Sequence, residues 1–274
     1  MLKVLLPFED TSLSMPVTLQ VKSGDLAVKQ HRERTARRVI DYFGGRLPPT
    51  RLLCFLDDND SARIRGERGR YETIHDGTPL AHLPDYVSDC IYVDDGVSFY
   101  YPRVIDGLVL LYGTTCANEV GLSMTLAHEL QHTIQRSSKR QLWAVNSLVN
   151  QLEKGVFDAL KMTWADIPIE REARIVSKRA TVHLFGEQRV TEYIEEKIRE
   201  HVSDGDFADW RFIHTLTPSD SVDLVDGTRK LFHQLKDYRS ELENALHRRR
   251  ERDPEDFGDI DLDPFFTVPT NTLG

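Results

Sequence analysis

Cysteine is scarce in this chain of 274 residues: Cys54, Cys90 and Cys116 are odd in number and widely spaced, which fits neither a disulfide framework nor a cysteine-based zinc site. All three read as ordinary buried thiols. Long apolar runs are missing too. The longest in the middle of the chain, 108–112, falls far below the roughly 20 residues needed to cross a bilayer, so no membrane span is expected. The apolar start, Val4-Leu5-Leu6, runs into Glu9 and Asp10 without a cleavage-site pattern; it reads as a strand and not a signal peptide, which places the chain in the cytoplasm. An excess of basic residues is also lacking. The net charge is −9, of which residues 251–263, with seven acids and Arg252, carry −6, so the body is close to neutral and no nucleic-acid partner is expected. There is no glycine-rich phosphate loop and no internal repeat, and Ser123 follows Gly-Leu without the second glycine of a nucleophile elbow.

What is present is enough apolar material, 40% of residues, to fill an ordinary globular core. Residues 26–43 place Leu26, Val28, Ala36, Val39, Ile40 and Phe43 at a rough helical period and stop at Gly44-Gly45, which predicts an amphipathic helix. A short apolar run at 51–57 after Pro48-Pro49 predicts a buried strand, and the polar stretch 58–88 a long loop or irregular insert. Segments 91–93, 97–101 and 108–112, separated by turn-prone residues, predict an antiparallel meander. Beyond Gly113 the pattern is helical at about 119–136, 140–162, 167–186, 187–203 and 226–250, with a polar break at 204–222. The expected organisation is an N-terminal helix and sheet over 1–115, active-site helices over 116–186, a helical extension over 187–250 and an acidic tail over 251–274. The tail is short of apolar area and is expected to be disordered or to lie on the body.

The chemistry is carried by Leu126-Ala127-His128-Glu129-Leu130-Gln131-His132, an H-E-x-x-H spacing within a helical pattern. Histidines at i and i+4 are about 40° apart around a helix, so both imidazoles can reach one ion at about 2.0–2.1 Å. Leu122, Leu126, Leu130 and Ile134 form a stripe on roughly the opposite side, by which the helix can pack while its histidines face a cleft. Glu129, one residue after the first histidine, is placed to take a proton from water as a general base. Without a metal, two histidines in a helix hydrogen-bonded to their neighbours would account for either one singly, but less well for the set.

A third protein ligand is needed. The residues after His132, TIQRSSKRQLW, contain no histidine or aspartate, which leaves a carboxylate on a second helix. The segment 167–174, IPIEREAR, offers Glu170 and Glu172, with Pro168 suited to a first helical turn and Ala173 small enough for close helix packing. Residues i and i+2 point about 200° apart, so the two cannot both face one ion. An i,i+4 ion pair with Arg174 would account for Glu170 without any metal.

HELQH followed by Glu170-x-x-Ala173 resembles the gluzincin metallopeptidases, in particular the minimal members of the ImmA/IrrE-like group, over about residues 90–185. The resemblance implies an α+β, zincin-like fold: a small, mostly antiparallel sheet, then the active-site helix and a largely helical C-terminal part. It implies His128, His132 and Glu170 as ligands to Zn2+ and Glu129 as the catalytic base of a zinc metallopeptidase. Glu172 remains the competing ligand. One departure stands out: such families often have Asp or Asn one residue past the alanine, holding a ligating histidine, and here that residue is Arg174, which cannot accept a hydrogen bond. The acceptor must come from elsewhere, with Asp166, Asn118 or a backbone carbonyl as candidates. His183, about 220° around its helix from Glu170, is expected to face away. His214 and Tyr100 or Tyr101 are weaker candidates for stabilising an oxyanion.

The function expected is hydrolysis of peptide bonds in a protein substrate by a specific intracellular regulatory protease, with substrate added as a strand along 108–112. The alternative is a non-proteolytic regulatory or interaction module that keeps the zincin fold. The C-terminal helices and acidic tail exceed what a minimal peptidase needs and suggest a partner or an autoinhibitory contact.

Overall fold

A computed structural model of the chain describes residues 17–21, 24–48, 52–57, 69–73, 107–112, 117–201, 206–217 and 219–267. The strands expected at Val4-Leu5-Leu6, 91–93 and 97–101, together with Cys90, Cys116, Tyr100 and Tyr101, lie outside them. The chain divides into two compact units, Met1–Thr133 and Ile134–Gly274.

In the first unit, strand β1 (Val17–Val21) leads into helix α1 (Leu26–Phe43) and strand β2 (Leu52–Asp57). The side chain of Asp25 caps α1 by accepting from the Val28 amide, and the helix buries Ala36, Val39, Ile40 and Phe43, the i, i+3, i+4, i+7 face of its sequence. It stops where Gly44 turns to φ 50°, a conformation that favours glycine, with the Gly44 amide still bonded to Ile40 O. Strands β3 (Gly69–Thr73) and β4 (Gly107–Tyr112) complete a sheet of order β1-β2-β4-β3.

The expectation of an α+β fold with a mostly antiparallel sheet is not met. The described residues are predominantly helical, and in the small sheet β1–β2 and β2–β4 pair in parallel while only β3–β4 is antiparallel. The meander was inferred from apolar runs adjacent in sequence, whereas the partners of β4 are distant segments. A helix between two strands, as α1 lies between β1 and β2, provides the long connection that parallel pairing requires. Strand β3 also falls within the stretch expected to be a loop. Strand β4 sits between β2 and β3, in registers such as Val109 opposite Cys54 and Tyr71, so it offers no free edge, and substrate addition along it is ruled out. Its Val109 and Leu111 are fully buried, as residues two apart on one face should be.

Helix α2 (Glu119–Ser138) carries the H-E-x-x-H residues. Asn118 Oδ1 caps it, accepting from the amides of Val120 and Gly121 at 2.8 and 3.2 Å, and Glu119 places an acid in the positive first turn. The second unit continues with α3 (Arg140–Val149), α4 (Lys154–Leu160), α5 (Pro168–Phe185), α6 (Glu187–Glu200), α7 (Asp206–Thr215), α8 (Leu224–Gln234) and α9 (Arg239–Arg252). The helix expected over 140–162 is broken near Asn150, and α7 lies within the expected polar break. A buried hydrogen bond of 2.8 Å from Asn146 Nδ2 to Thr228 Oγ1 joins α3 to α8. Gly227 lets α8 approach the start of α5: a Cβ there would lie 3.1 Å from Pro168 Cγ. Lys178 of α5 donates to the carbonyls of Ile213, His214 and Leu216, satisfying the end of α7.

The acidic segment is folded. The short helices α10 (Pro254–Phe257) and α11 (Asp263–Phe266) bury Phe257 and Phe265, and the turn between them buries Ile260 and Leu262, with Phe257 against Trp143 and Phe265 against Phe232. Its acids pair with bases of the body: Asp256 with Arg136 at 2.7 Å, Asp259 with Arg140 at 2.6 Å and Asp263 with Arg239 at 2.5 Å. Alternating apolar and acidic residues are what a segment needs to contribute to a core and pair with basic helices at once. Among the described residues, no helix is long and apolar enough to cross a membrane.

Candidate metal centre

Leu122, Leu126 and Leu130 of α2 are buried and Ile134 is half-buried, so the predicted stripe is the packing face. On another side of the helix, His128 Nε2 and His132 Nε2 are 3.1 Å apart with their rings nearly perpendicular. One ligand atom from each of His128, His132 and Glu170 lies within 4.8 Å of the others. Two nitrogens bound tetrahedrally at 2.0–2.1 Å stand about 3.3 Å apart, close to the observed separation. Two imidazoles and a carboxylate, partly shielded from water, form a donor set that fits a divalent ion. The 3.1 Å contact is also short enough for one imidazole to donate to the other. Glu129, next along the helix, is buried.

Glu170 lies in the first turn of α5, where the helix dipole favours an anion. Pro168 occupies the start of this helix, as its fixed φ and missing amide suit, and Ala173 is fully buried. Glu172 turns to other partners: its Oε2 accepts from Gln135 Nε2 at 2.9 Å and its Oε1 is 3.2 Å from Lys139 Nζ. The same Gln135 nitrogen donates to Ile169 O at 2.9 Å. The C-terminal end of α2 is therefore latched to the first turn of α5 one helical turn beyond His132. Glu172 serves the latch while Glu170 joins the histidines.

The ion pair of Glu170 with Arg174 is present as well. Arg174 Nη1 donates to Glu170 Oε2 at 3.1 Å and Glu170 O at 3.2 Å, and its Nε donates to Asp209 Oδ1 of α7 at 2.5 Å. All three side chains are largely buried, at 9%, 13% and 16% exposure for Arg174, Glu170 and Asp209, which sets them apart from exposed ion pairs that contribute little. Burial works against the guanidinium charge, but Asp209 and Glu170 outweigh it and hold Arg174 above its ordinary pKa.

The other candidates are engaged elsewhere. Asn118 caps α2, and Asp166 Oδ2 accepts from the amide and hydroxyl of Thr163 at the turn before α5, so neither is seen holding a ligating histidine. His183 is exposed, in keeping with its place around the helix, and His214 is exposed at the end of α7, 3.7 Å from Glu195. Ser123 is buried in α2. Gln135, Asp209 and the Arg136–Asp256 pair were not singled out from the sequence. Gln135 carried a usable signal, since an amide three residues after the second histidine lies near the ligand face; Asp209, 35 residues from Arg174, carried none. No family model, no curated protein and no solved structure matches the chain.

Proposed function

We propose that the chain is a zinc-dependent metallopeptidase of the cytoplasm that hydrolyses peptide bonds in a specific protein substrate. His128, His132 and Glu170 are its metal ligands and Glu129 is its general base. The observation that supports this reading is the convergence of the three ligand atoms within 4.8 Å, although Glu170 lies 38 positions beyond His132 in the sequence. Zinc in such a site supplies Lewis acidity, polarising a carbonyl and acidifying water. Glu129 accepts a proton at its carboxylate as water attacks and returns it to the leaving amine nitrogen. Glu129 is buried beside His128, which places its carboxylate next to the ligand face and away from bulk solvent. Gln135 holds the two helices that carry the ligands in register, and Glu172 anchors that latch without ligating.

Elemental analysis of wild type, His128→Ala, Glu170→Gln and Glu172→Gln tests the assignment. We expect about one zinc per chain in wild type, lost with the first two changes and kept with the third. Cleavage of a peptide library by wild type and not by Glu129→Gln then tests the chemistry. A wild type that takes up no zinc when supplied with it ends the peptidase reading. Bound zinc without any cleavage would instead favour a non-proteolytic interaction module.

A further inference from the structure

We propose that Arg174 and Asp209 form a charge-compensated clamp that positions the Glu170 carboxylate for the metal, an inference that rests on the metal site proposed above. Arg174 lies one turn after Glu170 on α5, and its side chain folds back towards the helix start, the direction helical rotamers favour. From there one nitrogen, Nη1, grips both the carboxylate and the backbone carbonyl of Glu170, while Nε is held by Asp209 from α7. The planar fork is thus fixed at both ends, and Glu170 is restrained by contact with a group that cannot itself rotate freely.

The charges give the arrangement its purpose. A lone guanidinium against Glu170 would compete with a divalent cation for that carboxylate and repel the cation. Asp209, at 2.5 Å, cancels it, so the orienting hydrogen bond remains while the net charge contributed is close to zero. Burying an arginine and an aspartate merely to hold two helices together is a weak solution, because apolar side chains of similar volume usually do as well or better. Hydrogen-bond partners that orient metal ligands commonly change metal affinity 10- to 100-fold.

Competition for Zn2+ against a chromophoric chelator separates the two roles, using the full chain of wild type, Asp209→Asn, Arg174→Met, Arg174→Lys and the double change Arg174→Met/Asp209→Asn. Thermal unfolding of the metal-free forms identifies the folded variants. Asp209→Asn, nearly isosteric, should weaken zinc binding about 10-fold or more by leaving Arg174 uncompensated. Arg174→Lys keeps the charge but loses the fork, and should weaken binding about 10-fold. The double change should bind zinc more tightly than Asp209→Asn alone, because the competing cation is gone. A purely structural pair gives the opposite order, with the double change as weak as or weaker than Asp209→Asn, and that result overturns the clamp. So does affinity within about twofold of wild type in both Asp209→Asn and Arg174→Lys, judged against the 10-fold scale expected. If Arg174→Met fails to fold, these two variants decide the matter. Failure of wild type itself to bind zinc overturns the metal site, and the clamp with it, and is distinguished by the wild-type titration alone.

Discussion

Replacing Gln135 by leucine removes the latch between α2 and α5 while nearly preserving side-chain volume. In wild type, Gln135 Nε2 donates to Ile169 O and Glu172 Oε2, each at 2.9 Å, from a position only 1% exposed. A hydrogen bond to a neutral carbonyl contributes about 0.5–1.5 kcal/mol and one to a charged carboxylate about 1.5–3 kcal/mol. Two features reduce the loss. Lys139 still holds Glu172, and the buried leucine gains about 1 kcal/mol of transfer free energy over the amide. The net cost should be about 1–3 kcal/mol. Urea unfolding should show a lower midpoint at unchanged slope, the mark of lost stability without a change in the exposed surface. Gln135→Glu should cost more, because it sets a second carboxylate against Glu172. Zinc affinity should fall in both variants, since the latch lies one turn beyond His132. A Gln135→Leu protein within about 0.5 kcal/mol of wild type, the scale of an ordinary surface substitution, and with unchanged zinc affinity would refute the latch.

Deleting the chain after Arg252 removes Phe257, Ile260, Leu262 and Phe265 from the core of the second unit, at about 1.5–3 kcal/mol for each buried apolar side chain. We expect an unfolded or aggregated product by circular dichroism and size-exclusion chromatography, whereas a folded and activated protein would show that the segment is a removable inhibitor. Lys178→Met leaves the carbonyls of Ile213, His214 and Leu216 without their ammonium partner and should cost about 2–3 kcal/mol in denaturant unfolding. An unchanged midpoint would mean that water replaces the lysine.

Local patterns were legible in the sequence; long-range ones were not. The helix expected over 26–43 matches α1 because its apolar period, capping Asp25 and terminal Gly44 are encoded within the element. The motif helix was legible for the same reason, and its two histidines face one another as an i,i+4 spacing requires. Sheet order was not. Whether 107–112 pairs with the preceding segments or with 52–57 and 69–73 depends on long connections, and an apolar run reads the same in either arrangement. The C-terminal segment, expected to be disordered or to lie on the body, was legible only in part, for a third reason. Its acids dominate the composition, while Phe257, Ile260, Leu262 and Phe265 disclose a core only once basic partners such as Arg136, Arg140 and Arg239 are seen to neutralise the acids between them.

Glu170 shows how two readings of one residue need not exclude each other. Sequence spacing allowed either an ion pair with Arg174 or a metal ligand, set out as rivals because each would occupy the carboxylate. In the structure the ion pair is made at Oε2 and the carboxylate also lies within 4.8 Å of the histidine nitrogens. They are rivals only if Arg174 carries an uncancelled charge, and Asp209 cancels it. Glu172, the other candidate, is set apart by its partners: Gln135 and Lys139 draw it to the end of α2. The residues that order the site are therefore also residues that stabilise the second unit. A loss of function in Gln135, Arg174 or Asp209 variants identifies a positioning role only when metal affinity falls further than the stability of the metal-free protein can explain.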